Sequence, residues 1–232
     1  MVGPAFLRFL NAGLARYAGD DRVMQISAFQ VPIEPPPDRP AFFSFSASLG
    51  WATWRRAWQH FDPVATAYAT LRTDRARRRA FDLGGAYPYV AMLENQLRGE
   101  LDSWAIRWYL SVFSRGGLVL YPPRSLVEHT GNDGTGTHSA GGEGYGEIAT
   151  AADPSGDLPE VRLDAAVQQR AVEVIRRANR MPPVTRAIFA AFVWARRMLD
   201  SPRTPPLLRQ MSKQAIDRAR AWRGRVPQTR AR

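Results

Sequence analysis

The chain contains no cysteine, which excludes a disulfide framework and any thiolate metal site. Lysine is almost missing too: Lys213 is the only one, so basic charge is carried by arginine. No apolar run reaches the roughly 18 residues that a bilayer-spanning helix needs. The opening Met1 to Leu10 lacks a basic segment followed by a long apolar stretch, so no secretory leader is expected. These absences lead to the expectation of a cytoplasmic protein.

What is present points to one folded core with an appendage. A length of 232 residues can bury one good core, and 45% hydrophobic content is that of a globular protein. The net charge of +11 is unevenly spread. Residues 1–154 hold 15 basic and 15 acidic side chains, whereas residues 155–232 hold 17 and 6, so the whole excess lies in the C-terminal third. The body is neutral, and positive charge serves a separate C-terminal role. No nucleic-acid recognition motif accompanies it, and no nucleic-acid partner is expected.

Periodicity supplies the elements. Phe6, Leu7, Leu10, Leu14 and Tyr17 repeat at helical spacing after Pro4, with Gly19 as a stop. Arg22 to Phe29 and Ala41 to Phe45 predict strands around the prolines 32 and 35–37. Helices are expected over 50–61, 63–81, 87–97 and 103–113, then a buried strand over Leu118 to Tyr121 and a short extended piece over Ser125 to Val127. Residues 131–157, rich in Gly, Thr, Ser and Asp, predict a long loop. Three arginine-studded helices are expected over 161–178, 184–200 and 206–222. The mixture predicts an α/β body over 1–157 and a basic helical extension over 158–232.

Aromatic residues are concentrated. Trp51, Trp54 and Trp58 are spaced to share one helical face, and Trp104 and Trp108 to share another. Indoles of this kind serve either as core or as a platform for a sugar ring. Trp51, Trp54 and Trp104 are candidates for the platform, with Trp58 and Trp108 assigned to the core. Asp102 and Ser103 stand just before a predicted helix, and either can be its N-cap. Arg107 is a candidate substrate-binding residue and is expected to pair with Asp102 or Glu100. His60 and His129 show no partner pattern and are taken as structural.

Several strings in register resemble one family. They are Pro4 to Phe9, Asp20 to Ser27, Trp51-Ala52-Thr53-Trp54-Arg55-Arg56-Ala57-Trp58, Asp102-Ser103-Trp104-Ala105-Ile106-Arg107-Trp108, Tyr121-Pro122, Ser125 to Val127, and Gly131 to His138. Together they are similar to the C-terminal half of bacterial family-2-like glycosyltransferases of the GT-A fold, distant relatives of N-acetylglucosaminyltransferase I. The resemblance covers about residues 4–140. It implies a partial GT-A fold: an incomplete mixed sheet flanked by helices, with an exposed flank where the nucleotide-binding half would pack. No acidic metal-binding motif precedes Pro4, so the chain is expected to be the acceptor-side half.

The activity implied is inverting transfer from a nucleotide sugar to a glycan or lipid-linked acceptor, in bacterial surface polysaccharide synthesis. By the resemblance Asp102 is the base that takes the acceptor proton. A carboxylate at that helix mouth is expected to accept backbone N–H bonds and to feel the helix dipole. Glu100 is the fallback. His138 is a candidate ligand for Mn²⁺ or Mg²⁺, provided an acidic motif is supplied. Asn132, Asp133 and Gly134 lie in a glycine loop whose N–H groups can face phosphate. Two readings stay open beside this one: a truncated, non-catalytic remnant or accessory chain, and a basic module that binds the membrane surface. The nine apolar residues Ala187 to Ala195, flanked by arginines, either pack on the body or lie on anionic lipid. The second alternative would make the protein peripheral to the inner membrane.

Overall fold

A computed structural model describes residues 1–128 and 153–179. The chain divides into two compact units, Met1–Asn179 and Arg180–Arg232, and every described residue belongs to the first. The helices expected over 184–200 and 206–222, and most of the 131–157 loop, lie outside the described residues.

The unit is a mixed α/β structure built on one four-stranded sheet. Helix α1 (Phe6–Arg16) is followed by β1 (Val23–Ser27), β2 (Ala41–Phe43) and β3 (Trp51–Ala52). Four helices come next: α2 (Arg55–Trp58), α3 (Tyr68–Thr73), α4 (Arg75–Phe81) and α5 (Tyr89–Leu97). Helix α6 (Trp104–Ser114), β4 (Leu118–Tyr121) and α7 (Ala165–Ala178) complete the order. The strands lie in the order β2-β4-β1-β3. The central pair β1 and β4 is parallel, and β2 and β3 flank it antiparallel. All five residues of β1 are buried, as are Val119, Leu120 and Tyr121 of β4. That matches the near-continuous apolar runs of strands covered on both faces.

Helix α1 buries Phe9, Leu10 and Gly13. A Cβ at Gly13 would stand 3.0 Å from the Ile26 side chain, so glycine lets the helix lie directly on β1. Arg56 ties α2 to the end of α1. Its guanidinium donates to the carbonyls of Tyr17 (2.8 Å), Ala18 (2.8 Å) and Val23 (3.0 Å) and lies 4.3 Å from the Trp54 ring centre. It thereby satisfies carbonyls that a helix end leaves open.

Two expected helices are corrected. The segment 50–61 is not one helix: Trp51 and Ala52 form β3, pairing with Ser27 and Ile26 of β1. Gly50, at φ +51°, turns the chain into that strand, and a Cβ there would meet Val127 at 2.5 Å. Pairing to an otherwise open edge of β1 overrides the helical spacing of the tryptophans. The segment 63–81 divides at Asp74, whose extended backbone ends α3. Its carboxylate accepts from the Arg77 N–H at 2.9 Å and so caps α4. Helix α7 likewise starts later than expected, at Ala165, capped by Asp164 through the Val167 N–H.

The expected exposed flank is also corrected on one side. Leu163 bridges to Phe42 in parallel sense, the Asp164 N–H donates to the Phe42 carbonyl at 3.0 Å, and the Ser44 N–H donates to Gln168 of α7 at 2.7 Å. The outer edge of β2 is therefore covered by the segment that leads into α7. Upstream, the same segment is held by Arg8 to Asp153 (2.7 Å), Tyr17 to the Pro159 carbonyl (2.6 Å) and Arg22 to the Val161 carbonyl (3.2 Å). The opposite edge strand, β3, is only two residues long, which limits its use as a template for another chain. Among the described residues, no helix is long and apolar enough to cross a membrane.

Candidate functional site: an aromatic cluster at the mouth of α6

The site is built on α6. Its i, i+4 pair Trp104 and Trp108 meets Trp51 from β3 and Trp58 from α2. The Trp51 ring stacks on Trp104 (5.6 Å between centres, 26°) and on Trp108 (5.9 Å, 27°). Trp58 lies 5.1 Å from Trp108 and is nearly parallel to Phe61 at 4.7 Å and 5°. Five aromatic rings thus form one cluster, although their contributing elements differ from those expected.

Exposure sorts the indoles. Trp108 is 1% exposed and belongs to the core, as expected. Trp104 is 43% exposed: it stacks on Trp51 and meets Trp58 edge-on at 66°. Trp58, expected in the core, is 39% exposed. Its ring packs against Phe61 and Trp108, which occupy much of its surface. Trp54 stands apart from this cluster of rings. Its Nε1 donates to the Leu14 carbonyl at 3.0 Å, and the Arg56 guanidinium covers its ring.

A network that periodicity does not reveal holds the cluster in place. Gln25, fully buried on β1, donates through Nε2 to the Ala47 carbonyl. Its Oε1 accepts from Trp108 Nε1 and from Ser46 Oγ, and each of the three bonds is 2.7 Å long. A polar residue at the centre of a buried strand was the one available signal, because such a residue needs partners.

Asp102 is exposed and makes no hydrogen bond or ion pair among the described residues. The expected bonds from backbone N–H groups are not made. Ser103 occupies the N-cap position of α6 without a side-chain capping bond, and its N–H donates to Gln96 Oε1. The carboxylate is left facing solvent two residues before Trp104. Glu100 is held by Arg98 at 3.3 Å. Arg107 pairs with neither acid: it donates to the Pro63 carbonyl at 2.9 Å and lies 6.0 Å from the Phe61 ring centre, with its Nε buried and unbonded. Its position on α6 turns it toward the 61–63 loop, at the Trp58 end of the cluster.

His60, Asp62 and Ser111 line one surface pocket. The Thr66 hydroxyl and neighbouring N–H groups hold the Asp62 carboxyl below the ordinary range while closing the 62–66 turn. Asn132, Asp133, Gly134, His129 and His138 lie outside the described residues. Among the described residues no group of three or more metal-ligating side chains converges. Comparison of the chain with protein-family models, curated proteins and solved structures returns no match.

Proposed function

We propose that the chain takes part in inverting glycosyl transfer, as the acceptor-side part of a GT-A-like enzyme. One observation carries the reading. A solvent-facing carboxylate with no partner among the described residues, Asp102, stands two residues before a half-exposed indole, Trp104, which is backed by Trp51. An indole face offers a pyranose the flat apolar surface it stacks on. An unengaged acid beside it can take the proton of an acceptor hydroxyl as its oxygen attacks the anomeric carbon of the donor sugar. The nucleoside diphosphate leaves with the electron pair of the broken bond. The four-stranded mixed sheet with its helices gives the α/β class that this reading requires.

In this reading the donor is a nucleotide sugar, bound in part by the Asn132, Asp133 and Gly134 loop. Where an acidic motif is supplied, His138 is a contact for Mn²⁺ or Mg²⁺, and that cation would offset charge on the leaving diphosphate. The acceptor is a glycan or a lipid-linked acceptor of bacterial surface polysaccharide synthesis, met at the cytoplasmic side of the inner membrane. The test is transfer from nucleotide sugars in the presence of Mn²⁺ in a full-length context that supplies the acidic motif, with Asp102→Asn beside the unaltered sequence. Asp102→Asn is expected to lose transfer by about 10²-fold or more while keeping its fold. Undiminished transfer in the variant would remove Asp102 from the role.

A further inference from the structure

We propose that the pocket between the 60–67 loop and the C-terminal half of α6 binds a neutral sugar unit, at a site of its own. The inference goes beyond the glycosyl-transfer reading, which uses none of these residues. The pocket measures about 500 Å³ and is walled by His60, Asp62, Thr66, Ser111, Ser114 and Arg115, with Leu110 among its apolar residues. That volume lies within the roughly 300–1,000 Å³ of small-molecule sites. Three of the polar side chains brace the wall. Ser111, 6% exposed, accepts from the Asp62 N–H at 3.2 Å and donates to the Arg107 carbonyl at 3.1 Å. The Asp62 carboxylate accepts from the Val64 N–H at 3.0 Å and from the N–H and hydroxyl of Thr66. The loop is thereby fixed on α6. The other three keep their hydrogen-bonding capacity: His60, Ser114 and Arg115 make no side-chain hydrogen bond or ion pair among the described residues.

The balance of charge selects the ligand. An anion would meet Arg115, but it would also meet the ionised Asp62 and the C-terminal end of α6, where the helix dipole is negative. A cation would be repelled by Arg115 itself. An apolar ligand would strip water from three unengaged polar groups with nothing in return. A sugar hydroxyl both donates and accepts. The Ser114 hydroxyl does the same, an imidazole carries at least one donor, and the Arg115 guanidinium supplies several more. Ser111, Ser114 and Arg115 are three and four residues apart, so one face of α6 presents them together. Leu110 adds an apolar contact for the C–H groups of the ring.

The experiment titrates the full chain with the methyl glycosides of glucose, galactose, mannose and N-acetylglucosamine, followed by imidazole NMR. His60 is one of three histidines, and His60→Gln assigns its signal. At least one glycoside is expected to shift that signal saturably. Arg115→Ala is expected to weaken its binding about tenfold, the loss of a hydrogen bond from a charged donor, and Ser114→Ala about threefold. Both side chains are exposed, and an unchanged urea midpoint checks the fold. No shift at His60 with any of the four glycosides overturns the proposal, as does an affinity unchanged in both variants. Glucose 6-phosphate binding more than tenfold tighter than every neutral glycoside overturns it in favour of an anion site. Glycerol binding as tightly as the best glycoside overturns it in favour of an unselective polar pocket. Trp104→Ala is expected to leave the His60 response intact; a response lost there and kept in Arg115→Ala overturns the pocket and assigns sugar binding to the indoles.

Discussion

Replacing Gln25 by leucine tests whether one buried amide sets the aromatic cluster. Gln25 is 0% exposed and Trp108 is 1% exposed, so in the variant the indole N–H has no water to turn to. An orphaned buried donor costs about 1–3 kcal/mol. The lost bond to the Ala47 carbonyl adds about 1 kcal/mol, less whatever the half-buried Ala47 and Ser46 regain from solvent. The added apolar burial of leucine offsets part of this, and the expected net loss is about 2 kcal/mol. The assay is urea unfolding, read as a lower midpoint at unchanged slope. A cycle with Trp108→Phe isolates the pair: once the indole N–H is gone, Gln25→Leu is expected to cost about 1–2 kcal/mol less than it does alone. A loss under about 0.5 kcal/mol, or strict additivity in the cycle, would refute the network. The same variant should weaken the proposed sugar binding at Trp104, because Trp108 and Trp104 both stack on Trp51.

Asp102→Asn should shift the urea midpoint by no more than about 0.5 kcal/mol equivalent, since the side chain is exposed and has no partner among the described residues. A large loss would make it structural. Arg56→Met removes donors to three carbonyls and uncovers the Trp54 ring, and is expected to cost about 2–3 kcal/mol by thermal unfolding; an unchanged midpoint would contradict the tie between α1 and α2. Burial pushes the Asp82 carboxyl above the ordinary range, partly countered by its bond from the Val90 N–H. The folded state therefore binds this proton more tightly than the unfolded chain does. Its contribution to stability falls as pH rises from the ordinary carboxylate value through the raised one. Asp82→Asn should flatten that part of the stability profile, and a difference curve independent of pH would refute the assignment.

Helices with a single apolar face were legible from spacing: α1, α5 and α6 fall within a residue or two of where periodicity puts them. The strands β1 and β4 were legible because their short apolar runs are bounded by turn residues. The ring pairs were less so. Tryptophan spacing at 51, 54 and 58 fits a helical face, yet the edge of β1 takes Trp51 as a strand, and Arg56 with the Leu14 carbonyl takes Trp54 out of the cluster. Arg107 shows the same limit, since an acid five residues away in sequence loses to a carbonyl brought in from the 61–63 loop. From its residues alone, then, the chain determines its α/β class, its neutral body and its concentration of indoles, because propensity, charge and hydrophobic period are local properties. Tertiary packing alone decided which indoles stay open to solvent, which polar side chain anchors the cluster and that Asp102 is left without a partner among the described residues, because each depends on partners distant along the chain.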